Sequence, residues 1–233
     1  MKIAMWSGPR NLSTAMMYAF GARSDCAIWD EPFYATYLAT TGLDHPMRGE
    51  ILAAGEADGV KVAAQLVGDN PDGKPHFYQK HMTQHMISGV DRSWMKRVKN
   101  VFLIRHPARV IASYAAKRDN PTLDDIGFWQ QAELFDACDD PIVIDSHDIR
   151  EDPEGMLRSL CTALDLQFDP AMLSWPMGGH KDDGVWARHW YGAVHQSTGF
   201  AGAESNLPEL NGTYAALLEQ SLPYYRDMLS RKI

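Results

Sequence analysis

The sequence predicts an α/β fold in which a mainly parallel sheet is covered by helices on both faces. Two observations favour this fold: short apolar runs recur along the chain, and they alternate with segments of helical periodicity. Of the 233 residues, 45% are hydrophobic and 22% are charged, a composition typical of a globular protein. Because this length suits one large domain, we expect a single domain over residues 1–233.

Five short apolar runs are predicted to be strands. The first is followed by Ser7-Gly8-Pro9 and the second by Asp30-Glu31-Pro32, and each of these segments is a proline-containing turn. The run at 101–104 is the clearest strand, and the run at 77–79 is the weakest. In chain order, the predicted strands are 3–6, 26–29, 77–79, 101–104 and 141–145.

Helices are predicted between and after these strands. Ala15, Met16, Ala19 and Phe20 follow the first strand at helical spacing. Pro107 follows the fourth strand at a position where a helix can begin, since a proline there loses no helical hydrogen bond. The later predicted helices are 107–117, 123–138, 153–164 and 207–228.

The charge distribution excludes several classes of function and favours a local anion site. A net charge of −8 disfavours a nucleic-acid surface or a polybasic membrane patch. No apolar run approaches the roughly 20 residues that span a bilayer, so no membrane contact and a cytoplasmic location are expected. Residues 80–118 nevertheless contain nine Lys or Arg and only one acid, Asp91, whereas 119–154 contain twelve acids and only one base, Arg150.

The first candidate anion site is segment 7–14, between the first strand and the first helix. Gly8 allows a turn, Arg10 supplies a cation, and Ser13 and Thr14 place hydroxyl groups at the start of the helix, where free N–H groups favour anions. The segment is not a Walker A loop, because it lacks the second Gly and the Lys. Its alternative role is structural, with a serine capping the helix and Arg10 in solvent.

The second candidate segment is 103–114. Arg105 falls at the carboxyl end of the fourth strand, and Ser113 lies nearly two turns into the helix that follows. A cation and a hydroxyl group could therefore meet a single phosphate. In open α/β sheets, ligands bind beyond the carboxyl ends of the strands, which places both candidate segments at the same edge.

Together, the two segments resemble the two signatures of the sulfotransferases that use 3′-phosphoadenosine-5′-phosphosulfate (PAPS). The similarity continues through 142–145 and 152–166 and covers most of the first 170 residues. The resemblance implies a three-layer, P-loop NTPase-like fold with a central, mainly parallel sheet flanked by helices. It also implies that the first segment binds the 5′-phosphosulfate and the second binds the 3′-phosphate.

The resemblance further suggests which residues bind the donor. Segment 178–186 is loosely similar to the basic, Gly- and Trp-containing loop that closes over the nucleotide in this family. The residues implied to bind PAPS are Gly8, Pro9, Arg10, Asn11, Ser13, Thr14, Arg105, Ser113 and Lys181. The aromatic residue that stacks on adenine is not recognisable, because Ala15 stands where one branch of the family has Trp.

The implied activity is transfer of a sulfuryl group from PAPS to a hydroxyl or amine of a small-molecule acceptor. A sulfuryl group carries one formal negative charge where a terminal phosphoryl group carries about two, so protein cations and N–H groups can support its transfer without a metal. Arg10 would neutralise the charge that develops on the leaving 5′-phosphate.

Two residues are candidates for the base that deprotonates the acceptor. Glu31 resembles the glutamate that several bacterial and carbohydrate sulfotransferases use, and its alternative role is that of a solvated loop acid. His81 is the competing base, because segment 79–82 is similar to the Lys-Thr-His stretch of the cytosolic enzymes, in which the His is the base. The match lacks one residue, since His81 follows Lys80 directly. Lys80 could approach the transferring group. His81 and His85 could share a helix face but lack a third ligand, so no metal site is predicted.

Two other functions remain open at the level of sequence. The chain could be a P-loop-like kinase or other phosphotransferase with a degenerate loop, or a nucleotide-binding module that has lost its chemistry. The acceptor would be held by segments 33–43 and 186–200, whose arrangement one sequence does not reveal. The oligomeric state, including a homodimer, is equally open.

Overall fold

A five-stranded parallel sheet forms the centre of the computed structural model, which describes residues 1–233. Its strands are β1 Lys2–Ser7, β2 Cys26–Asp30, β3 His76–Met82, β4 Lys99–Ile104 and β5 Ile142–Asp145. They lie in the order β2-β3-β1-β4-β5, and every neighbouring pair is parallel. The chain thus builds one side of β1 first and then crosses to the other, which makes the carboxyl end of β1 the switch point where such sheets bind ligands.

Helices cover both faces of this sheet. None of them combines the length with the hydrophobicity of a membrane-spanning segment. They are α1 Ser13–Gly21, α2 Tyr34–Thr41, α3 Arg48–Ala54, α4 Gly59–Val67, α5 Pro107–Ala115, α6 Leu123–Ile126, α7 Phe128–Asp136, α8 Ser146–Glu151, α9 Pro153–Ala163, α10 Ala187–Trp190, α11 Gly192–His195 and α12 Thr213–Leu229. One core joins the sheet to α1, α2 and α9, and a second core joins it to α4, α5, α7 and α12.

Side-chain alternation along β1 explains why this strand appears as a continuous apolar run. Ile3 and Met5 of β1 pack into the core beside α1, whereas Ala4 and Trp6 pack into the opposite core. Both faces of β1 are buried, which favours apolar residues at successive positions. The predicted α/β fold with helices on both faces of a parallel sheet is confirmed.

Several predicted elements differ from the observed ones. The weak run at 77–79 belongs to the longer strand β3, which continues to Met82 and includes Lys80 and His81. The predicted helix 123–138 is divided into α6 and α7 at Gly127, whose φ is +73°. The last helix begins at Thr213 rather than at residue 207.

Six helices were not predicted. Three of them, α2 to α4, lie between β2 and β3, and a fourth, α8, follows β5 directly. The other two are the short helices α10 and α11 near residue 190. Only α4 has a pronounced apolar face, formed by Val62, Ala63 and Leu66. The others are short and depend on packing against the sheet rather than on their own periodicity.

Candidate active site

A cavity of about 780 Å³ opens at the carboxyl edge of the sheet. The segment after every strand contributes to its wall: Pro9 after β1, Glu31 after β2, Gln84 after β3, Arg105 after β4 and Ser146 after β5. A cavity of this size can enclose a small organic ligand. The cavity lies at the switch point of the sheet, the same edge at which the two candidate segments were expected.

The loop after β1 presents an uncapped helix end to this cavity. Arg10 and Leu12 adopt left-handed backbone conformations, with φ of +64° and +72°. Such conformations cost roughly 1–3 kcal/mol each in residues other than glycine and persist where surrounding structure enforces them, often at functional sites. Helix α1 starts at Ser13 and has no side-chain N-cap. Residues 9–15 line the cavity, so the free N–H groups of α1 are available to an anion.

Gly8 has a packing role rather than a place in the cavity wall. It does not line the cavity, and a Cβ atom at this position would lie 2.5 Å from the carbonyl oxygen of Ile126. Gly8 therefore allows the loop to pass close to α6. This placement departs from the expectation that Gly8 contacts the donor.

The two candidate segments meet in the cavity. Arg10 Nε donates to Ser113 Oγ at 2.9 Å, and Arg105 Nη1 donates to the backbone carbonyl of Arg10 at 2.5 Å. Burial, followed by the neighbouring charge of Arg105, lowers the pKa of Arg10. Two guanidinium groups held this close together repel each other, which favours an anionic ligand between or beside them.

A buried charge cluster forms the wall opposite the arginines, with Lys80 at its centre. Lys80 Nζ donates to Glu31 Oε1 at 2.5 Å, to Asp30 Oδ1 at 3.0 Å and to Tyr191 OH at 2.7 Å. These three bonds use all three donors of the ammonium group. Tyr191 OH also lies 2.8 Å from Asp30 Oδ2 and accepts a hydrogen bond from Trp186 Nε1 at 3.0 Å. Lys80 thus holds Glu31 in place.

The charges in this cluster depend on one another. Burial raises the pKa of Asp30 to about 6, while the positive charge of Lys80 opposes that rise. Burial also disfavours the charged form of Lys80, but Asp30 and Glu31 outweigh it and raise the pKa of the ammonium group. Glu31 lines the cavity and has a left-handed backbone with φ of +43°. It is buried and paired, so it is not a solvated loop acid.

His81 does not reach the cavity. Successive residues of a strand point to opposite faces, so the side chains of Lys80 and His81 diverge. The His81 ring stacks on Trp6 at a centroid distance of 4.5 Å, and burial lowers its pKa well below the usual range. This placement removes His81 from the candidate bases. His81 lies in β3 and His85 in the turn after it, so the two do not share a helix face.

Lys181 also lies outside the cavity wall. Its side chain is 75% exposed and its nearest acid is Asp182, at 3.7 Å. The loop around it is fixed to α1, since Tyr18 OH donates to Asp183 Oδ2 at 2.7 Å. The C-terminal segment that does cover the cavity is 190–201. Segment 178–186 is similar in sequence to a loop that closes over the nucleotide, but Lys181 is not placed to contact a ligand in the cavity.

Aromatic side chains line the part of the cavity near α2. His85 stacks against Tyr34 at 4.5 Å and against Tyr37 at 4.9 Å between ring centroids, and Tyr34 OH lies 2.8 Å from His45 Nδ1. Trp190 borders the same region. Both segments expected to hold the acceptor, 33–43 and 186–200, contribute residues to this wall.

Sequence reasoning missed several residues of the site. Asp30 and Tyr191 belong to the Lys80 cluster, and Arg150 lines the cavity beside Arg105. Arg150 carried a signal, since it is the only base in the acidic stretch 119–154. Tyr191 carried none, because its charged partners Lys80 and Asp30 are more than 100 residues away in the chain.

Comparison with known proteins identifies one family across the chain. The model of that family, described as a sulfotransferase domain, matches residues 1–232. Two proteins of Arabidopsis thaliana, named branched-chain-amino-acid aminotransferase-like proteins 1 and 2, are 37% and 36% identical over 232 and 227 residues. The matches cover 98% and 96% of this chain but 41% and 40% of those proteins. The chain therefore spans about two fifths of the length of the curated relatives it matches.

Solved structures with the same fold are also sulfotransferase domains. The sulfotransferase domain of the Synechococcus PCC 7002 olefin synthase superposes with a TM-score of 0.59 at 19% identity, covering 96% of this chain and 94% of that one. The sulfotransferase domain of the curacin biosynthetic pathway gives 0.56 at 17% identity, covering 96% and 97%. A sulfotransferase from Alicyclobacillus acidocaldarius gives 0.55 at 10% identity, covering 100% and 96%. These similarities establish the P-loop-like fold.

Proposed function

Since the chain belongs to the sulfotransferase domain family, we propose that it moves a sulfuryl group from PAPS to a hydroxyl or amine of a small-molecule acceptor. The observation that carries this proposal is the meeting of Arg10, Ser113 and Arg105 at the uncapped start of α1. Two cations, a hydroxyl group and free N–H groups suit a ligand with several anionic groups. PAPS is such a ligand, with anions at both ends of its ribose.

Each of the two signature segments binds a different phosphate group of the donor. Arg10, Ser13 and Thr14 take the 5′-phosphosulfate together with the free N–H groups of α1, and Arg105 and Ser113 take the 3′-phosphate. Buried polar atoms without a protein partner support the fit: Asn11 Oδ1 and Arg105 Nε lie in residues of the cavity wall. A donor bound in the cavity would complete the hydrogen bonds of both atoms.

Glu31 is the base in the transfer that we propose. The proton of the acceptor passes to the Glu31 carboxylate, a bond forms between the acceptor atom and sulfur, and the bond from sulfur to the 5′-phosphate oxygen breaks. Arg10 stabilises the negative charge that this oxygen gains, and adenosine 3′,5′-bisphosphate leaves. Lys80 orients Glu31 toward the cavity, and Asp30 and Tyr191 hold Lys80 in turn.

A thermal-shift measurement tests the donor. Adenosine 3′,5′-bisphosphate is expected to raise the melting temperature more than adenosine 5′-monophosphate at the same concentration, because only the bisphosphate engages both segments. Magnesium-ATP serves as the comparison for a phosphotransferase. Stabilisation by magnesium-ATP alone would refute the proposal and favour a kinase.

Turnover with labelled PAPS tests the chemistry. We expect sulfate transfer to at least one acceptor in a panel of phenols, sugars, aliphatic alcohols and amines. Glu31→Gln is expected to abolish this transfer while adenosine 3′,5′-bisphosphate still binds, and Glu219→Gln, which changes an exposed carboxylate on α12, is the matched control. Binding of the bisphosphate without transfer to any acceptor would instead favour a non-catalytic nucleotide-binding module.

A further inference from the structure

Three arginines surround one carboxylate at the edge of the cavity. Glu204 Oε1 accepts a hydrogen bond from Arg150 Nη1 at 2.8 Å and another from Arg105 Nη2, and Glu204 Oε2 lies 3.0 Å from Arg109 Nε. The Glu204 side chain is only 2% exposed. The same arginines also hold the backbone around it, since Arg150 Nε donates to the carbonyl of Gly202 and Arg109 Nη2 to that of Ser205.

This arginine cluster opens onto the cavity. Arg105 and Arg150 line the cavity wall. Arg105 and Ser146 come directly after paired residues of β4 and β5, Ile104 and Asp145, so they emerge side by side at the edge of the sheet. Ser146 also lines the cavity. A ligand in the cavity can therefore reach the cluster without any movement of the sheet.

One carboxylate does not satisfy the cluster. Arg105 Nε and Ser146 Oγ are buried and have no hydrogen-bond partner. Three guanidinium groups carry three positive charges against the single negative charge of Glu204. A phosphate group offers about twice that charge and three acceptor oxygens, and it matches the arginine fork better than a single carboxylate can.

We propose that Arg109 and Arg150 join Arg105 in the site for the 3′-phosphate of the donor, and that Glu204 is the counter-anion that the phosphate displaces. This inference rests on the proposed function, because it assigns a group of the PAPS donor to the cluster. Glu204 lies in the segment between α11 and α12, which has no helix of its own. Its carboxylate can therefore leave the arginines without unwinding a helix.

Displacement has an energetic consequence that can be measured. Burial disfavours the charged form of Glu204, but Arg105 and the other two arginines outweigh it and lower its pKa, so the carboxylate is ionised at neutral pH. The bound phosphate must compete with a tethered anion. Removal of that anion is expected to strengthen binding only of ligands that carry the 3′-phosphate.

Titration calorimetry on Glu204→Gln provides the test. We expect this variant to bind adenosine 3′,5′-bisphosphate at least about fivefold more tightly than the unaltered chain, with no change for adenosine 5′-monophosphate. Glu209→Gln, an exposed residue five positions further along the same segment, is the matched control and should change neither affinity. Arg150→Gln is expected to weaken binding of the bisphosphate and to spare that of the monophosphate.

Weaker or unchanged binding of the bisphosphate by Glu204→Gln overturns the inference and leaves the proposed function intact, since Glu204 would then organise the arginines. If neither the unaltered chain nor the variants bind the bisphosphate, the assignment of PAPS fails. The role of Glu204 as a counter-anion is then tested by measuring the thermal stability of both proteins with inorganic sulfate. If sulfate stabilises Glu204→Gln but not the unaltered chain, the carboxylate of Glu204 is displaceable. If sulfate does not stabilise Glu204→Gln, the role of Glu204 as a displaceable counter-anion is overturned as well.

Discussion

Lys80 connects three oxygen-bearing side chains at the candidate site. Asp30 and Glu31 place two carboxyl groups beside its ammonium group, and Tyr191 adds a hydroxyl group from the C-terminal part of the chain. Removing one partner of such a buried pair leaves an uncompensated charge, which costs several kcal/mol. The position of Glu31 therefore depends on residues that need not touch the substrates.

The raised pKa of Asp30 predicts a specific pH dependence of stability. Burial raises this pKa to about 6 against the charge of Lys80, whereas an aspartate in an unfolded chain titrates near about 3.9. Folding therefore favours the protonated form, so the contribution of Asp30 to stability is complete below about pH 4 and decreases as the pH rises through about 6. Lys80 remains charged throughout this interval, because Asp30 and Glu31 raise its pKa against the effect of burial.

Comparison of the unaltered chain with Asp30→Asn isolates this effect, because asparagine does not titrate. Between pH 4 and pH 7, we expect the free energy of unfolding of the unaltered chain to fall relative to that of Asp30→Asn, by up to about 3 kcal/mol. Urea unfolding at both pH values measures the difference. A difference that stays constant, or that changes in the opposite direction, contradicts the assignment.

Residue types at the site were easier to predict than residue partners. Glu31 and Lys80 were both candidates because of the motifs around them, but their ion pair depends on the register of β2 against β3, which sets Asp30 beside Lys80. That register is fixed by nonlocal strand pairing. His81 shows the reverse case: its motif resembled that of a base, and the alternation of side chains along β3 sends it into the opposite core.

At the level of elements, Gly127 joins two short helices where the sequence predicted one. Its φ of +73° lies in the left-handed region, and a Cβ atom there would come within 2.6 Å of Thr83 Oγ1. We expect Gly127→Ala to lower the free energy of unfolding by roughly 1–3 kcal/mol, through backbone strain and the steric clash. Gly49→Ala is the control, because Gly49 lies in α3 with no atom within 4 Å of an added Cβ.

Chemical denaturation of the two glycine variants measures the free energy of unfolding of each. The Gly49→Ala variant should be unchanged or more stable by roughly 0.5–1 kcal/mol, because alanine restricts the unfolded chain more than glycine does. If Gly127→Ala proves as stable as Gly49→Ala, the break between α6 and α7 does not depend on the glycine.

Strands and long helices were predictable because their signals are local. β1, β2, β4 and β5 each contain a short apolar run, and α5 begins at Pro107 as the sequence indicated. Helices α2 and α3 carry weaker signals, since α2 buries only its first turn and Leu38, and α3 buries only Ile51. They form because the connection between β2 and β3 packs along the edge of the cavity. A local sequence pattern does not reveal such tertiary packing, so these helices were not predictable.

For the whole molecule, β1 is the strand on which the two halves of the sheet converge. β2 and β3 lie on one side and bring the Glu31 and Lys80 cluster, whereas β4 and β5 lie on the other side and bring the arginines. The loop after β1 lies between them, and Arg105 donates to its backbone at Arg10. A donor bound at this switch point would therefore contact structure from both halves.

Hydrogen exchange can test that coupling directly. Saturating adenosine 3′,5′-bisphosphate is expected to slow amide exchange in both 8–14 and 105–113, because one ligand fixes the two segments together. Residues 64–71, at the end of α4 and in the turn after it, do not line the cavity, so they should be unaffected and serve as the internal control. Arg105→Ala is expected to remove the protection of both segments at once, since its guanidinium group joins the loop to the phosphate site. Protection confined to a single segment would show instead that the ligand binds one half of the cavity, and the two segments would then have separate roles.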